Sequence, residues 1–72
     1  MPNTYKKGSR VFWKWGRGKI PGIVEEIYMD SVEKKIKNTF IKRNANKDNP
    51  AYFIKAEGKD AYVLKLRSEL IE

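Results

Sequence analysis

The string Phe12-Trp13-Lys14-Trp15-Gly16-Arg17-Gly18 holds both tryptophans of the chain together with two cations and two glycines. Residues 1–24 contain no acidic side chain, yet they contain Lys6, Lys7, Arg10, Lys14, Arg17 and Lys19. Rings interleaved with cations suit contact with nucleic acid, because the cations neutralise phosphates while the rings stack on bases. Arg17, exposed on a tight loop between two glycines, can grip a phosphate or a carboxylate in bidentate fashion. Trp15 stands at the end of the alternation, where a tryptophan packs one side of its ring and offers the other for stacking. Lys14, Trp15, Arg17 and Lys19, with Arg43 at the start of a polar loop and Phe12, form the candidate nucleic-acid-binding set. The competing reading is structural: a half-buried strand runs into a turn, and its lysines blunt edge pairing and keep the domain soluble. Lys34, Lys35 and Lys37 fit that reading best.

Other chemistries find little support. The chain has no cysteine and no histidine. That removes disulfides, thiolate zinc sites, cysteine nucleophiles and the imidazole base. Glu25 and Glu26, neighbours on a strand, point to opposite faces and make no acid–base pair unless a bulge realigns them. No serine or threonine has a visible base, and Gly16-x-Gly18 lacks the spacing of a phosphate loop. The expectation is a binding module that is not an enzyme and uses neither cofactor nor metal.

The elements that must position these residues are short. A chain of 72 residues makes one small domain, burying only about 60% of its unfolded surface. Its net charge of +7 favours polyanionic partners. No run approaches the roughly 20 apolar residues of a membrane span, and the polar start is no signal peptide. The chain is expected to be cytoplasmic and monomeric.

Residues 1–7 read as a flexible N-terminus and residues 8–72 as the folded domain. From Ser9 the pattern alternates, with Val11, Trp13 and Trp15 on one side and Arg10, Phe12 and Lys14 on the other, the period of a strand with one buried face. Gly16-Arg17-Gly18 turns the chain. A second strand covers residues 20–29, with Pro21 near its start. Val24 and Ile27 do not share a period of two, so a bulge at Glu25-Glu26 is required to bring both inside. Residues 32–37 and 39–43 form two arms, joined by a turn at Asn38-Thr39. Residues 43–50 are a polar loop held by Asx turns or able to bind through its amides. Tyr52-Phe53-Ile54 and residues 61–66 are strands flanking a hairpin loop at Glu57-Gly58-Lys59-Asp60. Residues 67–72 close with a turn of helix, Ser68 capping and Leu70 packing back. Five or six short strands without an amphipathic helix predict an all-β, SH3-like barrel.

Several strings carry a resemblance. Lys7-Gly8-Ser9-Arg10-Val11, Trp13-Lys14-Trp15-Gly16, Gly22-Ile23-Val24, Arg43-Asn44-Ala45, Asp48-Asn49-Pro50-Ala51-Tyr52, Val63-Leu64-Lys65 and Ser68-Glu69-Leu70 resemble, in order and spacing, the hypervirulence-associated Tudor-domain family of small proteins. The resemblance implies a Tudor-type, SH3-like barrel and carries over no catalytic or ligand residue. Phe12 and Phe40 stand where that family usually has polar residues, and are read as a satellite cluster packed together or as a contact patch. A Tudor-type barrel adds an alternative, recognition of an acidic or methylated peptide. A cage for a methylated cation would draw faces from Trp15, Tyr28, Phe40, Tyr52 and Tyr62 and a carboxylate from Glu26 or Asp48. A third reading is a small accessory subunit of a larger complex.

Overall fold

A computed structural model describes residues 5–71. The chain is all-β, with seven strands among the described residues: β1 Arg10–Trp15, β2 Gly18–Tyr28, β3 Val32–Ile36, β4 Thr39–Arg43, β5 Ala51–Ala56, β6 Tyr62–Leu66 and β7 Leu70–Ile71. Five of them form one antiparallel sheet in the order β6-β5-β2-β1-β7, and β3 pairs with β4 in a second sheet of two. The larger sheet is curled into a half-barrel, the SH3-like form expected from the strand pattern. A single 3-10 turn, Arg67–Glu69, carries the chain from β6 at one edge to β7 at the other, where Leu70 pairs with Trp13. The two-residue β7 is too short to show a period in the sequence.

Cross-strand partners share a face of a sheet, so the register identifies the core. Val11 faces Gly22, Trp13 faces Ile20, Val24 faces Ile54, and Ile27 faces Tyr52. The register slips between Val24 and Glu26. This is the bulge that the unmatched spacing of Val24 and Ile27 requires: one extra residue returns Ile27 to the concave side. Val11, Trp13, Val24, Tyr52, Ile54, Ala56 and Leu70 form the buried cluster.

Residues 1–4 lie outside the described residues, but Tyr5 sets its ring edge-on against Tyr52 at 5.7 Å, and its N–H donates to the Tyr52 hydroxyl at 3.0 Å. Two turns also differ in detail from the expectation. The β3–β4 turn is Lys37-Asn38, both with positive φ (48° and 66°), one residue earlier than Asn38-Thr39. A two-residue loop with both φ positive twists in the sense of the flanking strands. In the closing turn Ser68 does not cap. Its N–H donates to Asn49 Oδ1 and its hydroxyl accepts from Asn49 Nδ2, while Glu69 takes the Leu66 N–H at 2.8 Å. The polar loop is held by its own Asx turn, Asn46 Oδ1 accepting from the N–H groups of Asp48 and Asn49.

Candidate functional site

The β1–β2 hairpin gathers most of the candidate set at its tip. Trp15 pairs with Gly18 across a two-residue loop, Gly16-Arg17, in which Gly16 has φ +57°. A positive φ at the first loop position suits a twisted hairpin and strains any residue bearing a Cβ. Alternation then separates the two tryptophans by environment rather than by face. Trp13 is 3% exposed and belongs to the core, whereas Trp15, two residues on, is 70% exposed. The curled sheet runs out beneath Trp15, so its ring is uncovered.

On the opposite face Lys14 lies directly across from Lys19. Like charges placed opposite one another on paired strands repel. Neither belongs to an ion pair among the described residues, where the pairs are Arg10–Glu57, Lys34–Glu26 and Arg43–Glu69. Arg17 at the apex is exposed and also outside these pairs. The tip therefore concentrates positive charge that no carboxylate among the described residues pairs with.

Two members of the set behave differently. Phe12 is half-buried, with the Arg10 guanidinium 5.1 Å and the Lys19 ammonium 4.8 Å from its ring centre. Its face is spent on its own cations and is less open than that of Trp15. It does not form the expected satellite cluster with Phe40. Phe40 is 66% exposed and lies under Lys35 at 5.9 Å, and the ring pairs among the described residues are Tyr5–Tyr52 and Phe53–Tyr62. Arg43 donates from Nε to Glu69 Oε1 at 2.9 Å and from Nη1 to the Lys42 carbonyl at 3.1 Å. It ties β4 to the closing turn, a partner 26 residues distant that the sequence order hides.

Glu69 is the receiving end of that tie. Partial burial pushes its carboxyl up, but the Leu66 N–H and Arg43 outweigh this and hold it below the ordinary 4.5. A carboxyl lowered by folding stabilises the fold at pH values above its unfolded pKa, and the contribution is lost as pH falls through the folded one. Thermal melts of the wild type should therefore weaken below about pH 4.5. Glu69→Gln should melt at a lower temperature near neutrality and show a flatter acid limb.

The residues proposed for a cation cage are dispersed in role. Tyr52 is fully buried and offers no face to a ligand. Glu26 and Tyr28 do meet, on the convex side of the bulge: the Tyr28 hydroxyl donates to the Glu26 carboxylate. The cation beside them is the chain's own. Lys34 of β3 lies 3.0 Å from Glu26 Oε1, 5.1 Å from the Tyr28 ring centre and 4.9 Å from that of Phe53. Phe53 is stacked in turn on Tyr62 at 5.0 Å. The Tyr28 hydroxyl and the Lys34 ammonium hold the Glu26 carboxyl below its usual range. This cluster latches the β3–β4 hairpin to the main sheet. No periodicity announces it, because it joins Glu26, Lys34 and Phe53 from three strands.

The family model of the hypervirulence-associated proteins' Tudor domain matches residues 8–70. The chain belongs to that family. The match runs from the Gly8 turn to the first residue of β7 and so takes in nearly the whole half-barrel of this Tudor domain. Comparison with curated proteins and with solved structures returns no match. A Tudor domain of this family is a small binding module. No helix among the described residues of this Tudor domain is long and apolar enough to cross a membrane.

Proposed function

We propose that this domain is a non-enzymatic, cytoplasmic nucleic-acid-binding module that works as a monomer through the tip of its β1–β2 hairpin. The observation that supports this reading most is the unneutralised Lys14–Lys19 pair, with Arg17 at the apex and the uncovered Trp15 ring on the other face of the same hairpin tip. Like charges held opposite each other cost stability in the free domain, and a phosphate between them turns that repulsion into attraction. Arg17 grips a second phosphate through its planar fork. Trp15 supplies the sequence-tolerant part of the contact, a stacking face for a base. Phe12 braces Lys19 from beneath. Arg43, engaged by Glu69, stands outside the contact.

Trp15→Ala separates this contact from the fold. Because the ring is exposed, the variant is expected to melt within about 0.5 kcal/mol of the wild type. Its affinity for a labelled oligonucleotide should fall roughly 5- to 150-fold, the value of one stacked base. Unchanged affinity with an unchanged melt would remove Trp15 from the site. The second reading, an acidic-peptide module, draws on the same free cations. It predicts that an acidic peptide displaces the oligonucleotide at matched charge.

A further inference from the structure

Three hairpin ends meet at one mouth of the half-barrel. Trp15 comes from the β1–β2 tip, Lys37 from the β3–β4 turn and Lys59 from the β5–β6 loop, and together they rim a groove of about 330 Å³. Its floor is apolar, built from Trp13, Ile20 and Val63, and none of its lining residues is acidic. Lys37 and Lys59 are exposed and belong to no ion pair among the described residues. A second hollow, lined by Glu25, Lys55, Glu57, Lys59 and Asp60, mixes both charges and offers a polyanion no such preference.

An apolar floor with one open aromatic wall and two cations at the rim suits a flat, uncharged ring attached to anionic groups on either side. We propose that this groove seats one unpaired base of a single-stranded nucleic acid, stacked on Trp15, with Lys37 and Lys59 holding the flanking phosphates. The inference rests on the nucleic-acid reading of the hairpin tip and adds a strand preference to it. A base within a duplex is stacked on both faces and cannot enter without unpairing, which costs a few kcal/mol. The domain therefore discriminates single strands from duplexes. The lysine rim is absent from the candidate set because Lys37 and Lys59 lie 22 residues apart in the sequence, and they share a mouth only where the β3–β4 hairpin closes against the main sheet.

The test is fluorescence anisotropy with a labelled single-stranded oligothymidylate and with a labelled duplex of mixed sequence. The proteins compared are the wild-type domain and the double variant Lys37→Asn, Lys59→Gln. Asparagine tolerates the positive φ at position 37, so the turn is retained, and a thermal melt verifies it. The wild type should bind the single strand at least tenfold more tightly than the duplex. The double variant should lose roughly tenfold on the single strand and little on the duplex. Equal binding of strand and duplex, or a double variant with unchanged strand affinity, overturns the groove assignment and leaves the hairpin-tip reading standing. No binding to either probe at low salt overturns both. Full displacement of the strand by an acidic peptide at matched charge also overturns the assignment, since a peptide carries no base.

Discussion

Gly22→Ala is expected to destabilise this domain by about 3 kcal/mol or more, the upper range for overpacking a filled core. Gly22 lies on β2 between β1 and β5, its Cα opposite Val11 on one side and Ala56 on the other. A Cβ there would sit 2.6 Å from Ile54 Cγ2, 2.7 Å from Trp13 Cζ3 and 2.9 Å from the Lys55 carbonyl oxygen. The first two neighbours are buried side chains and the third is backbone, so none can step aside without moving a strand. The large Trp13 ring is accommodated because position 22 has no side chain. Folded domains hold only about 5–15 kcal/mol in reserve, and a chain of this size sits low in that range. The expected measurement is a denaturant midpoint shifted far toward zero, or loss of the cooperative transition. A midpoint within 1 kcal/mol of the wild type, at unchanged m-value, would mean that Trp13 does not pack over Gly22.

Tyr52→Ala is expected to cost about 3–5 kcal/mol, as for other large aromatic truncations. The ring is fully buried in the core, and its hydroxyl accepts the Tyr5 N–H. Tyr52→Phe keeps the ring and removes only the hydroxyl. It should cost about 1 kcal/mol, the net worth of one hydrogen bond to a part-buried donor. The contrast also bears on the cage reading. If Tyr52 lined a ligand site, the alanine variant would keep its fold and lose binding. The expectation here is the reverse, with binding lost only because the folded population falls.

Much of the fold was legible in local pattern. The alternation Val11, Trp13, Trp15 gave β1 its faces, and the mismatch between Val24 and Ile27 demanded a bulge that the register contains. The hairpin at Gly16-Arg17 followed from glycine chemistry alone. What escaped local reading depends on distant partners. The steric need for glycine at 22 arises only when Trp13 and Ile54 close around it. Arg43 looked free because Glu69 is remote in sequence. Lys34 looked like a solvated edge lysine, yet it sits between Glu26, Tyr28 and Phe53. At the candidate site, alternation placed Trp15 on the same side as Trp13 and could not show that the curled sheet ends before covering it. Turn registers slipped by one residue at Lys37-Asn38 because asparagine tolerates positive φ and lysine only under duress.

Under the proposed function, the unneutralised cations at the hairpin tip bind nucleic-acid phosphates. The affinity of the wild-type domain for a single-stranded oligonucleotide, followed across a salt series, tests it most directly. Each phosphate neutralised on a single strand contributes a slope of about −0.7 in log K against log salt. The two phosphates at the tip, one between Lys14 and Lys19 and one on Arg17, thus contribute a slope of about −1.4, reduced by about 0.7 on removal of Arg17, and the two flanking phosphates on Lys37 and Lys59 bring it to about −2.8. Binding that is absent at low salt, or present but indifferent to salt, would contradict it.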